Sequence, residues 1–585
     1  MRGGHIPVMT DPIITLSDSR RLTGPNLLWE RPGAVLDVAV PAAQAEIAVT
    51  AWQDAARRIL TAVGWQDEQC RLRRFQGGAS LAISAPIDAL FAATEVNEWA
   101  LAAANEALGG AAAPDLGEAA ARLRELIARE RKPALLAMSR AARRNGVTLL
   151  ADTEQVSVGT GAGSITWPIG EIPSPAEVDW ARVHDVPTVL VTGSNGKTTT
   201  VRLLTAVLAS AGRVAGMCCS DSVNVGGEVL DRGDWSGPGG ARRVLRDRRV
   251  QVAVLETARG GMLRRGLAVT RADAAIITNA AEDHFGEFGI HDLAGLTEAK
   301  FVVTRALPPS GRLALNADDP SLVARAVLAT APIVWFTLDP ANPVVRAHIE
   351  QGGEAGLVED GEIVLVRQQR RYPITPLVDV PITLRGIARH NVANALGVAA
   401  LAACLGLDSD TIALGLARFR GTPEENPGRL NLFALGGVTA VADFAHNPHG
   451  MNALVALAGT LPARRRLVLL GQAGDRDDIA IRDLARSAWG LRPDRIILKE
   501  MDQHLRGRAP GEITRLLEQE LLGLGASSEA IGHAGSEYEA VLDALAWARP
   551  EDLLVLPVHS ERERVLALLD RLEREGWVPG APLTA

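Results

Sequence analysis

The feature that most restricts how this chain can fold is an apolar strand that runs straight into a glycine-rich loop and then a helix. Residues 187–212 read PTVLVTGSNGKTTTVRLLTAVLASAG. Glycines let consecutive backbone N–H groups turn inward around phosphate oxygens, and the helix N-terminus adds positive dipole. Gly193, Ser194, Asn195, Gly196, Lys197, Thr198 and Thr199 are then the residues expected to hold a nucleotide. Lys197 falls between the outer phosphates, and the Thr198 hydroxyl reaches Mg²⁺. Val191 occupies the position of the first glycine in the usual GxxxxGK[ST] pattern.

Such a loop belongs at the edge of a doubly wound parallel sheet, and the flanking sequence reads that way. Continuous apolar runs at 188–191, 250–255, 274–277, 312–315 and 333–336 have the look of buried parallel strands, with helix-forming segments between them. A second alternation, with strands at 440–443, 467–470, 496–499 and 553–558, predicts a separate Rossmann-like domain. At 585 residues the chain exceeds one hydrophobic core. The expected division is a small α+β domain over 1–165, a central ATP-binding domain over 166–425 and a Rossmann-like domain over 426–585. In the first, β-like runs at 34–40 and 80–84 alternate with a helix at 45–63, and an Ala-rich helical tract covers 91–144. It holds no catalytic motif, so docking or self-association is its expected role. Residues 159–177, rich in Gly and Pro, read as a linker or a short hairpin, and GTGAG at 159–163 as a turn.

Charge narrows the partners. The net charge of −8 and the 4% aromatic content argue against nucleic-acid or anionic-membrane binding. Four cysteines (Cys70, Cys218, Cys219 and Cys404) form no CxxC pair, which suits a reducing cytoplasm. No apolar run approaches the ~18–20 residues of a membrane helix.

TGSNGKTT, residues 192–199, resembles the nucleotide loop of the Mur ligases and folylpolyglutamate synthetases, and later segments match the same superfamily in order. The resemblance implies an α/β multidomain fold and an ATP- and Mg²⁺-dependent ligase. Glu256, ending the strand VQVAVLE, stands where the family has a Mg²⁺-holding carboxylate. In ITNAAEDHFGEFG and LTEAK, His284 matches a residue beside a second Mg²⁺, and Lys300 matches a lysine carbamylated in several members. An ordinary ion pair is the other reading of Lys300. LNADDP (315–320) and RHNVANALGVAAL (389–401) assign Asn316, Asp318 and Asn391 to the nucleotide pocket. PGRL (427–430), VADFAHNPHG (441–450) and GQAGDRDD (471–478) resemble elements of the Mur C-terminal domain, with Phe444 where Tyr is usual. Arg429 is then the cation that reaches the γ-phosphate, Asp443 joins the nucleotide pocket, and His446 and Asn447 serve the amine.

Four stretches resemble the Mur-like and N-terminal parts of cyanophycin synthetases: LETARGGMLRRGL (255–267), ILKEMDQHLRGRAPGE (497–512), and LTGPNLLW (22–29) with APIDALFAATEVNEWA (85–100). Those enzymes also carry an ATP-grasp ligase, of about 200 residues or more, between the two parts. Only a few dozen residues separate the helical tract from Val186 here. The resemblance therefore implies ligation of a small-molecule or short-peptide acid to an amino-acid amine through an acyl phosphate, without polymer growth. Arg259, Arg264 and Arg265 are expected to hold the acid's carboxylates by paired hydrogen bonds, and a homodimer is the expected assembly. Two other readings stand beside this one: a catalytically silent nucleotide-binding subunit, and a ligase for an unrelated acid–amine pair.

Overall fold

Residues 189, 191, 254 and 276 pack on one face of a sheet while 190, 253, 255, 275 and 277 pack on the other. The computed structural model, which describes residues 13–110, 114–282 and 285–583, thus explains the unbroken apolar runs as strands covered on both faces. Val252–Glu256, Thr188–Thr192, Ala274–Ile277, Arg312–Asn316 and Ile333–Thr337 lie side by side and parallel in an 11-stranded sheet. Helices Lys197–Ser210 and Arg389–Cys404 cover one face. Helix Pro238–Arg246 lies against the other.

The ends of this sheet are not parallel. Ser222–Val225 and Glu228–Arg232 form an antiparallel edge on one side, and Glu362–Arg367 and Arg370–Pro376 form one on the other. The outermost strands, Glu228–Arg232 and Arg370–Pro376, are largely exposed and polar and do not register as buried runs, whereas Glu362–Arg367 is buried over 363–366.

The N-terminal sheet has four antiparallel strands in the order Thr15–Leu22, Gly33–Ala39, Gly78–Ser84, Cys70–Phe75. Helices Ala45–Ala62 and Leu90–Leu108 pack their apolar faces against it. The two outer strands, TLSDSRRL and CRLRRF, are too polar to stand out in the sequence. The helical tract expected over 91–144 consists of three helices: Leu90–Leu108, Leu116–Glu130 and Pro133–Arg144. Gly109 and Gly110 end the first, and Pro133 starts the third, where a missing N–H is tolerated. Residues 149–168 form a three-stranded antiparallel sheet, and GTGAG is the turn between its last two strands. The hairpin reading of this stretch therefore describes it better than the linker reading.

The C-terminal sheet has six strands. Val438–Asp443, Asp552–Pro557, Arg465–Leu470, Arg495–Lys499 and Ile531–Ala534 run parallel, and Asn431–Leu435 is an antiparallel edge. Its carboxyl edge faces that of the central sheet across one crevice, the place where open α/β sheets bind ligands.

Candidate active site

The phosphate-type loop is shaped by close approaches that exclude side chains. Gly193 has φ +147°, and a Cβ there would stand 1.9 Å from Thr278 Oγ1. Gly196 has φ +85°, and its Cβ would stand 2.4 Å from Asn394 Oδ1. Val191 is fully buried within the strand, opposite Glu256 and Ile276, so the loop turns only after Thr192 and needs no earlier glycine.

The segment following the neighbouring strand fastens this loop. Ser194 N donates to Asn279 O at 2.9 Å, Ser194 Oγ to Ala281 O at 2.8 Å and Asn195 N to Asn279 Oδ1 at 2.9 Å. Thr278 Oγ1 donates to Asn195 O at 2.6 Å. Lys197, the first residue of its helix, donates from Nζ to Ser194 O at 3.0 Å.

Oxygen atoms converge beside the loop. Thr198 Oγ1 donates to Glu256 Oε2 at 2.8 Å and lies 3.0 Å from Ser220 Oγ, while Ser220 N donates to the same Glu256 oxygen at 3.4 Å. Burial raises the Glu256 pKa, and Lys197, the Thr198 hydroxyl and Arg429 oppose that rise. Two hydroxyls and one carboxylate suit a hard cation whose remaining ligands are phosphate and water. Among the described residues no group of three or more His, Cys, Asp and Glu could hold a metal by itself. The donor set thus fits Mg²⁺ held jointly with a nucleotide. His284 lies outside the described residues.

Arg429 comes from the C-terminal domain. Its guanidinium stacks 4.2 Å from the Phe444 ring centroid and lies 3.8 Å from Asp221. Asp221 also takes Arg562 at 2.7 Å and Arg202 at 3.4 Å. Burial alone would raise the Asp221 pKa, but Arg429, Arg562 and Arg202 outweigh it and hold it low. Further bonds seat this domain on the loop. Asn195 and Asn447 exchange amide hydrogen bonds at 3.3 and 3.1 Å, and Asn426 Nδ2 donates to Thr199 Oγ1 at 3.3 Å.

The loop residues 193–199, Ser220, Glu256, Arg429 and Phe444 border a cavity of about 1460 Å³, whose wall also includes Arg259, Arg264, Arg265, Lys300, Asn316, Asp318, Asn391, Asp443 and His446. Lys300 is buried at the end of helix Leu293–Lys300. Asn316 donates to Thr278 O at 3.1 Å, and Asp318 accepts from Leu338 N at 2.8 Å and from the Thr337 hydroxyl. The Asn391 amide is engaged by Ile382 O and Asn394, both at 3.1 Å. All three therefore build the wall through local bonds. Asp443 accepts from Leu430 N at 2.8 Å, and burial raises its pKa despite Arg429. Arg259 pairs with Glu287 at 2.6 Å. Asn447 does not border the cavity. It caps helix Pro448–Thr460 by accepting from Gly450 N at 2.8 Å and braces Asn195.

Sequence reasoning missed Ser220, Asp221, Thr278, Asn279, Arg202 and Arg562. Ser220 and Asp221 follow the short strand Ala215–Cys218, and Thr278 and Asn279 follow Ala274–Ile277, so the carboxyl-edge rule applied to every strand would have found these four.

Residues 191–402 match the Mur ligase middle domain, and residues 428–557 match the Mur ligase glutamate ligase domain. The cyanophycin synthetase of Synechocystis sp. is 37% identical over 358 residues, covering 61% of this chain and 40% of that protein. The UDP-N-acetylmuramoyl-L-alanyl-D-glutamate–2,6-diaminopimelate ligase of Geobacter metallireducens is 27% identical over 392 residues, 63% of this chain and 73% of that one. E. coli FolC in complex with ADP superposes with a TM-score of 0.48 at 20% identity, covering 67% of this chain and 90% of that one. The match spans about two fifths of the cyanophycin synthetase's own length.

Proposed function

We propose, for a chain whose central and C-terminal domains belong to the Mur ligase family, that it joins the carboxylate of an acid to the amine of an amino acid at the expense of ATP. The reaction forms ADP and passes through an acyl phosphate, and the acid is a small molecule or short peptide. The observation that carries this reading is the meeting, on one cavity, of Lys197, Thr198 and Glu256 with Arg429 from the other domain.

MgATP supplies the transferable phosphoryl group and a cation that offsets its charge. The chain's own part is positioning and electrostatics, which dominate phosphoryl transfer. The loop amides at 193–199 and the Lys197 ammonium orient the phosphates. Thr198 and Glu256 present oxygen to the cation. Arg429, held between the Phe444 ring and Asp221, is placed to face charge that builds on the transferred group. Arg259 and Arg264 stand on the cavity wall to orient the acid. An acyl phosphate must meet its amine with water excluded, and the Asn195–Asn447 and Thr199–Asn426 bonds support a domain seated over the loop for that purpose. One phosphate loop makes one kind of amide bond, so the proposed protein adds one amine per acceptor carboxylate and builds no poly-aspartate backbone.

The test incubates purified protein with ATP, Mg²⁺ and a panel of acids and amino acids, with hydroxylamine as an acyl trap. ADP release that requires an acid, together with a hydroxamate of that acid, is the expected result. ATP binding with neither product over the whole panel would overturn the reading. With arginine, aspartate and a short aspartyl primer, product masses rising by repeated aspartate-plus-arginine units would overturn the single-addition claim.

A further inference from the structure

We infer that the N-terminal domain positions the acid pocket, with Arg20 and the turn at 23–25 clamping the far end of the helix Arg259–Arg265 that carries Arg259 and Arg264. The inference rests on the ligase reading for the acid's place, but the clamp itself is a property of the chain.

That helix has seven residues, two turns that do not persist alone in water. Its last carbonyls lack partners within the helix, and the N-terminal domain supplies them. Arg20 Nε donates to Leu263 O at 2.9 Å. Thr23 donates to Arg265 O twice, from its backbone N at 2.8 Å and from Oγ1 at 3.1 Å. As the chain leaves the helix, Leu267 N donates to Pro25 O at 2.7 Å. The backbones approach so closely that a Cβ on Gly24 would stand 2.3 Å from Leu267 O.

Arg20 is itself fixed. Its side chain is 8% exposed, with Nη1 bonded to Asp37 at 2.5 Å and Asp18 at 2.6 Å. Its guanidinium lies 4.7 Å from the Phe288 ring centroid. Asp37 also accepts from Ser80 Oγ at 2.6 Å, so three strands of the N-terminal sheet determine where Nε points. A second clamp acts nearby. Arg73 donates to Glu298 Oε2 at 2.9 Å and to Gly289 O at 3.0 Å, and Glu298 lies on the helix whose last residue, Lys300, borders the same cavity.

Two stretches singled out in the sequence, LTGPNLLW and LETARGGMLRRGL, are therefore the two sides of one contact. Among the described residues the nucleotide loop takes no hydrogen bond from this contact, so the clamp bears on the acid and leaves ATP alone. Arg20 is a positioning residue: it acts through the helix, from the end opposite Arg259.

The experiment compares full-length Arg20→Ala and Arg20→Lys with the wild type. Lysine keeps a charge for Asp37 but has no fork to reach Leu263 O at the same time. Both variants should bind ADP within about twofold of wild type by calorimetry. Both should raise KM for the acid found in the panel on the order of tenfold or more, with a smaller change in kcat. An unchanged acid KM, lysine restoring wild-type behaviour, or ADP affinity falling in step would overturn the inference. Hydrogen exchange of the ADP-bound chain provides a readout that needs no acid. Faster exchange confined to 259–267 in Arg20→Lys is expected, and unchanged exchange there overturns the clamp. Should no acid be turned over by the wild type, the ligase reading fails while the exchange result still decides the clamp.

Discussion

Replacing Lys499 with methionine should destabilise the C-terminal domain by about 3–5 kcal/mol, the range for removing one partner of a buried ion pair. Lys499 ends the strand Arg495–Lys499, and both it and Glu537 have side chains with 0% exposure. Its ammonium donates to Glu537 Oε2 at 2.5 Å and Pro557 O at 2.5 Å, and lies 3.3 Å from His559 Nδ1. Methionine fills the volume of the stem, so the cavity contribution is small. Two buried acceptors, Pro557 O and His559 Nδ1, are then left without a donor, at about 1–3 kcal/mol each. Glu537 loses its counter-ion but keeps the backbone N–H groups of His559 at 2.7 Å and Glu561 at 2.9 Å, which limits the loss. The consequence reaches the site. Lysine can only donate, so His559 accepts at Nδ1 and donates from Nε2 to Ala445 O at 3.1 Å. The same imidazole packs against Phe444, on which Arg429 stacks. Turnover should therefore fall even where the domain stays folded. Native-state hydrogen exchange of Arg465–Leu470 and Asp552–Pro557 under rising urea reads the domain's stability separately from the others. A loss under about 1 kcal/mol would refute the reasoning. So would additivity of Lys499→Met and Glu537→Gln within about 0.5 kcal/mol, since contacting partners should couple.

Lys197→Ala should abolish acid-dependent ADP formation in a folded chain, because among the described residues the Lys197 ammonium hydrogen-bonds only the loop carbonyl of Ser194; retained turnover would remove it from the mechanism. Arg429→Ala should lower kcat more than it weakens ATP binding, and equal losses in both would make it a binding residue only. Glu256→Gln should raise the Mg²⁺ concentration needed for half-maximal rate, and an unshifted Mg²⁺ titration would retire the cation assignment. His390 is pushed down to about 4, first by burial and then by His449, whereas an unfolded histidine titrates near pH 6.5. The unfolded chain takes up that proton first, so this contribution to stability is present above about pH 6.5 and lost as pH falls toward about 4. His390→Asn should flatten the stability–pH slope in that window, and an unchanged slope in a denaturation series would contradict it.

Features that depend on neighbours along the chain are legible in the amino-acid order. Two glycines around Ser194 and Asn195, placed between an apolar strand and a helix, make a phosphate-type loop through local backbone sterics alone. Likewise, the run at 274–277 declares a strand covered on both faces, because a residue buried on either face must be apolar. Glu256 was legible for the converse reason: a carboxylate ending such a run has no place in packing. Which distant groups meet depends on how the sheets and helices pack. Arg202, Asp221, Arg429 and Arg562 form one cluster from four separate segments, and nothing local to any of them selects the others. Arg20 and Arg73 sit on strands too polar to register, and only docking of the N-terminal sheet aims them at Leu263 O and Glu298. Backbone conformation follows short-range sterics and periodicity that a sequence displays directly. Ion-pair and capping partners are chosen by distances that exist only once the sheets have packed.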